Sequence, residues 1–118
     1  FRQANNSTAN QLAFVSGLAG LSAAASVLAR ASNGDNINMQ VGVGLDSSTT
    51  LATGCITSAT TGSSARPVQA SAHYVGYPGL GYHELRWLEY STASGTTTWY
   101  GAAISGVIQA GIVGEVWA

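Results

Sequence analysis

Five clusters of turn-forming residues cut this chain into short segments, and few folds accept such punctuation. They are Asn33-Gly34-Asp35-Asn36, Asp46 to Thr50 (DSSTT), Ser58 to Ser64 (SATTGSS), Gly76 to Gly81 (GYPGLG) and Ser91 to Gly95 (STASG). Gly, Pro, Asn, Asp and Ser each favour turn geometry for a different steric or hydrogen-bonding reason. Short strands separated by turn signals in this way point to an all-β sandwich or barrel. The stretch SATTGSS is low in complexity and is expected to be a mobile loop.

The segments between the turns support that reading. Ile37 to Leu45 places Ile37, Met39, Val41, Val43 and Leu45 on one face and Asn38, Gln40, Gly42 and Gly44 on the other, the period of a strand. Tyr82 to Tyr90 (YHELRWLEY) separates Leu85 and Trp87 from Glu84 and Arg86, although Leu88 and Glu89 break the pattern. Thr96 to Tyr100 is β-branched and aromatic. With Ser91 to Gly95 as its loop, it is expected to form a hairpin with Tyr82 to Tyr90. Arg66 to Tyr74 alternates through Val68, Ala70 and Ala72, with Pro67 suited to a strand start. Val107 to Trp117 is expected to close the sheet as a terminal strand. Gln11 to Ala31 is ambiguous. Leu12, Val15, Leu18, Leu21, Ala25 and Leu28 have nearly helical spacing, but Gly17 and Gly20 would each cost a helix about 1 kcal/mol relative to Ala. The β character of the remainder favours two strands, near Leu12–Val15 and Ser22–Ala29.

Composition narrows the function. The 118 residues make one domain on size grounds. Charged residues are 8% of the chain, against roughly 25% in an average protein, and Lys is absent. Ala, Gly, Ser and Thr take their place and make up half of the chain. A hydrophobic content of 46% with a net charge of −1 argues against disorder. Four scattered Arg residues do not neutralise a run of phosphates, so nucleic acid is not an expected partner. No uninterrupted apolar stretch reaches the roughly 20 residues that insertion in a membrane requires. A surface short of charge must be rich in Ser and Thr or be covered by other copies of the chain. The second reading is preferred, and it makes the chain a homo-oligomer. Phe1 at the start, followed by polar residues, is expected to mark the edge of a processed or excised piece of a longer protein.

Chemistry-bearing residues are few. His73 and His83 flank the Tyr77-Pro78-Gly79 turn and could lie close together. With Glu84 and Glu89 they form an imaginable metal site, but no zinc-ligand spacing is present and none is expected. Cys55, the one cysteine, cannot form an internal disulfide and reads as a small hydrophobe. No nucleophile elbow or phosphate loop occurs. Glu84 and Glu89 differ in parity and would point to opposite faces of one strand, which argues against paired catalytic carboxylates. The chain is therefore expected to have no catalytic residues, no metal and no cofactor. Glu84 and Arg86 share a face, as a local ion pair or as a bond across a subunit contact. Trp87 and Trp99 read as core or subunit-contact residues. Tyr77, exposed in its turn, is the best candidate for a ligand-facing side chain, together with His73 and His83.

The run Tyr74 to Gly101, YVGYPGLGYHELRWLEYSTASGTTTWYG, resembles C-terminal segments of tailed-bacteriophage structural proteins, chiefly tail-fibre and related virion appendage proteins. The upstream VGVGLDSSTT, Val41 to Thr50, is similar to a motif of the same group, and the order of the pieces from FVSGLAG onward matches. The resemblance implies a jelly-roll-like antiparallel β-sandwich, residues 1–118, assembled as a trimeric knob on the virion surface at the tip of a fibre or spike. Its partners would be sister copies, other virion proteins and a host cell-surface glycan or protein. AGLSAAAS stands where acidic residues are expected after the VSGL segment. Two alternatives remain: a capsid or tail decoration protein without a host ligand, and a small carbohydrate-binding module or glycan-active enzyme.

Overall fold

The computed structural model describes residues 1–4, 9–62, 66–100 and 110–117. Among these are ten strands: β1 (Arg2–Gln3), β2 (Gln11–Ser16), β3 (Ala23–Ser32), β4 (Asn38–Leu45), β5 (Cys55–Thr57), β6 (Ala59–Thr61), β7 (Val68–Gly76), β8 (Gly81–Ser91), β9 (Thr98–Tyr100) and β10 (Gly111–Val116). They form two antiparallel sheets. Sheet A runs β1/β2, β8, β4, β6, with β1 and β2 sharing one edge of β8. Sheet B runs β9/β10, β3, β7, β5, with β9 and β10 sharing one edge of β3. From β2 to β9 every strand lies in the sheet opposite its predecessor, the alternation of a jelly roll.

That alternation corrects the expected hairpin. β8 pairs with β2 and β4 in sheet A, whereas β9 crosses over and pairs with β3 in sheet B. The loop 92–97 was a fair turn signal, but it spans the two sheets. The SATTGSS segment is corrected too: Ala59–Thr61 is β6, while residues 63–65 lie outside the described residues. Thr57 and Ala59 belong to different sheets, so Ser58 is a corner where the chain switches layers. Of the expected terminal strand, Gly111–Val116 pairs with β3, and 107–109 lie outside the described residues.

Gln11 to Ala31 is two strands, because burial in β3 has a period of two. Ala23, Ala25, Val27, Ala29 and Ala31 are all buried, and the residues between them are not. Alanine is a strong helix former, but here four of five inward positions are Ala for a packing reason. Ala70 and Ala72 of β7 extend the same low-relief inner face of sheet B. Sheet A answers with bulk, from Met39, Val41, Val43, Leu85 and Trp87. Small residues opposite large ones let the layers interdigitate at the density of a protein interior.

Sheet A is covered on its outer face as well. Gly42 and Gly44 have no side chains there, and the 46–54 connection folds over them: Leu51 lies on Gly42, and the backbone of Ser47 lies on Gly44. Leu88, which shares that face, is fully buried. This explains the break in the YHELRWLEY pattern, since β8 has cover on both sides at its far end. The exposed edge of β4 beyond β6 is closed by the Ala52 N–H donating to the Val43 carbonyl (2.8 Å) and by the Thr57 hydroxyl donating to the Val41 carbonyl.

Candidate functional site

The strand registers bring the 17–22, 46–54 and 77–80 connections to one end of the sandwich. This end is apolar and open to solvent. Tyr77 is 72% exposed, and Val15, Leu18, Leu80, Tyr82 and Trp117 are exposed around it. A groove of about 610 Å³ beside Tyr77 is lined by Leu45, Leu51, Thr53 and Val75, with Tyr74 among its walls.

His83 holds this end in shape. Its Nδ1 lies 2.7 Å from Asp46 Oδ2, and its Nε2 lies 3.1 and 3.2 Å from the carbonyl oxygens of Gly79 and Leu80. The Asp46 carboxylate also accepts the Glu84 N–H at 2.8 Å, and the Asp46 N–H donates to the Glu84 carbonyl. Asp46 sits at φ 53°, a left-handed conformation that Asp tolerates better than most residues. Both imidazole nitrogens face acceptors, so the clasp is complete only when both carry protons. The hydrogen bond to Asp46 accordingly raises the His83 pKa above 6.5, and the two carbonyls add to it against a smaller opposing effect of burial. Burial pushes the Asp46 carboxyl up, but the His83 and Glu84 hydrogen bonds and the nearby positive charge together bring it below 3.8. His83 is therefore a fastener of the 77–80 turn. Asp46, which the sequence offered only as a turn residue, is its partner.

His73 is elsewhere. It lies on the outer face of sheet B, opposite Ser26 in register, with Nδ1 2.8 Å from Ser26 Oγ. The two histidines thus belong to different sheets, and no group of three metal-ligating side chains exists among the described residues. Ser26 and His73 have the spacing of a nucleophile and its base. Among the described residues, however, no carboxylate orients His73, and the nearby backbone N–H groups belong to a ladder. The surrounding trough, about 680 Å³, has Leu28, Ile56 and Val113 as walls and Ser26, Ser58 and Ser71 between them. Ile56 is 76% and Val113 70% exposed.

On the outer face of sheet A, Arg86 Nε donates to Glu84 Oε2 at 2.9 Å, and the Tyr82 hydroxyl donates to Glu84 Oε1 at 2.8 Å. Arg86 first, and then Tyr82, lowers the Glu84 pKa. The pair is thus local to one strand. Trp87 belongs to the core between the sheets, and Trp99 is half-buried beside it. Both line a cleft of about 420 Å³ with Arg2, Asn10, Glu89 and Tyr100. Among the described residues the buried Trp87 Nε1–H has no hydrogen-bond partner. Cys55 is half-buried, and burial raises its thiol pKa, as suits a packing residue.

Fold and surface together define an antiparallel β-sandwich of jelly-roll alternation, with one apolar loop end and one sheet face, uncharged at its centre, open to solvent. Comparison with known protein families, with curated proteins and with solved structures finds no match.

Proposed function

We propose that the chain is a homo-oligomeric domain of a bacteriophage virion, a tail-fibre or spike-tip domain that attaches the particle to its host by multivalent binding. The observation that carries this reading is the loop end. Tyr77 and Leu80 are exposed on the 77–80 connection that the His83–Asp46 clasp fastens to the sandwich, and Leu18 and Trp117 are exposed at the same end. Contiguous exposed apolar residues mark interaction surfaces, and loops on a rigid scaffold are where binding residues concentrate. Several such ends on one oligomer gain avidity although each binds weakly. The resemblance of Tyr74 to Gly101 to virion appendage proteins supports the same placement.

A gold-labelled antibody against the purified chain, applied to phage particles that carry it, is expected to mark the tail tip. Excess purified chain is expected to block adsorption of those particles, and a Tyr77→Ser, Leu80→Ser double variant is expected not to. Label over the capsid shell, or adsorption indifferent to the added chain, would replace attachment with a decorating role.

A further inference from the structure

We infer that the outer face of sheet B pairs with the same face of a second copy, related by a two-fold axis that lies in the interface and crosses the strands at the level of Val27. The inference rests on the reading of the chain as a homo-oligomer and names the surface that makes it one. It departs from the three-fold assembly that the resemblance implies.

The centre of this face has no charge. Leu28, Ile56 and Val113 stand exposed there, with Ser26, Ser71 and Gly111 between them. Alternation along β3 puts Ala24, Ser26, Leu28 and Arg30 outward, because Ala23, Ala25, Val27 and Ala29 are buried inward. Register adds Val113 opposite Ser26 and Glu115 opposite Ala24. The face therefore carries a cation, Arg30, towards one end and an anion, Glu115, towards the other. Among the described residues neither side chain has a hydrogen-bond or ion-pair partner within the chain.

An isologous contact must be complementary to itself. Arg30 and Ala24 are six positions apart on β3, roughly 20 Å at strand rise, with Val27 midway. Turning one copy over about an axis across the strands at Val27 exchanges these positions. Arg30 of each copy then lies over Ala24 of the other, one strand from Glu115. Packed sheets stand about 10 Å apart, a gap that an Arg side chain crosses. Leu28 falls over Ser26, and His73 over Ser71. Opposite charges meet at both ends, like charges meet nowhere, and the apolar centre is covered. A lipid surface or an unrelated strongly charged protein would gain nothing from this two-ended pattern.

The test is charge reversal on the whole chain, read by light scattering over a concentration series. The wild type is expected at twice the 12.0 kDa of the chain. Arg30→Glu alone and Glu115→Arg alone each place like charges together at both ends and are expected to weaken dimerisation about tenfold or more. The double reversal restores opposite charges and is expected to recover the wild-type dissociation constant. Both positions are at the rim, and circular dichroism verifies that each variant is folded. An oligomer indifferent to both single reversals, a double variant that stays dissociated, or a three-fold mass overturns the pairing and leaves the homo-oligomer reading standing. A monomer at every concentration overturns both.

Discussion

Gly42 and Gly44 face the same cover from the same strand, and replacing each with Ala separates two kinds of obstacle. A Cβ at Gly42 would sit 2.0 Å from Leu51 Cδ2 and 3.3 Å from Phe1 Cε1. A Cβ at Gly44 would sit 2.3 Å from the Ser47 carbonyl oxygen and 3.1 Å from both the Thr50 carbonyl oxygen and Leu88 Cδ1. Distance alone ranks Gly42 as the worse site. The chemistry reverses the order, because Leu51 Cδ2 is the free end of a rotatable side chain and the Ser47 and Thr50 oxygens belong to backbone. Rotating Leu51 away forfeits part of its burial, about 1 kcal/mol, while Ala in a strand recovers roughly 0.5–1 kcal/mol relative to Gly. Gly42→Ala should therefore be close to neutral. Gly44→Ala must lift the 46–54 connection, stretching the Ala52-to-Val43 hydrogen bond and uncovering Leu88. One hydrogen bond at about 1 kcal/mol and one buried Leu at about 2 kcal/mol sum to a loss of roughly 3 kcal/mol. Equilibrium urea unfolding measures both variants, with the exposed Gly34→Ala, which meets nothing within 4 Å, as control. Equal costs at Gly42 and Gly44, or a neutral Gly44→Ala, would refute the claim that backbone seals this face.

Two further perturbations read other parts of the fold. His83 has a folded pKa above its ordinary 6.5, so its contribution is full below that pH and is lost as pH rises through the folded value. Asp46, lowered below 3.8, contributes above that pH and loses its contribution as pH falls through the folded value. The melting temperature should therefore hold between these limits and fall on the alkaline side as pH rises through the raised His83 value, and His83→Gln should flatten that fall. An unchanged alkaline limb in the variant would deny the clasp its imidazolium. Ala29→Leu adds bulk at a fully buried position facing sheet A, and urea unfolding should register a loss of about 1–3 kcal/mol from overpacking. A neutral result would mean that the layers are not closely fitted.

Strands were legible where one-sided burial imposes a period of two on the sequence, clearest in Ile37 to Leu45; β3 was not, because its inward alanines also suit a helix and only the β character of the remainder decided it. Partner choice was not legible. A turn signal such as STASG fixes where the chain bends, but whether the next strand stays in its sheet or crosses to the other depends on contacts distant in sequence. The hairpin of β8 with β9 failed for that reason. Leu88 and Glu89 looked like defects in an alternating strand, yet Leu88 is explained by Gly42 and Gly44 on β4, far earlier in the chain. The Asp46–His83 clasp spans 37 positions, and no local pattern marks it. Tyr77 was legible as an exposed residue from Gly and Pro alone, since that turn has nothing with which to bury an aromatic ring.

The shortage of charge that suggested a covered surface becomes an argument about position once the charges are located. The chain has nine Asp, Glu and Arg residues. Asp46 holds His83, Glu84 holds Arg86, Asp35 accepts the Ser94 hydroxyl at 2.7 Å, and Glu89 is buried with a partner. Five charges are thereby spent inside the fold, and most of them fasten loops or strands. Of the four others, Arg30 and Glu115 border the uncharged outer face of sheet B, Arg2 lines the cleft beside Trp99, and Arg66 is exposed before β7. A random scatter of so few charges would leave no pattern on one face. Here the apolar side chains occupy the centre and the only opposite pair occupies the two ends, the division between core and rim that protein interfaces show. A monomer gains no stability from keeping Ile56 and Val113 in water, since each forfeits the free energy of burial. Their retention at the middle of a face with self-complementary ends is accounted for if the folded unit is more than one copy of the chain.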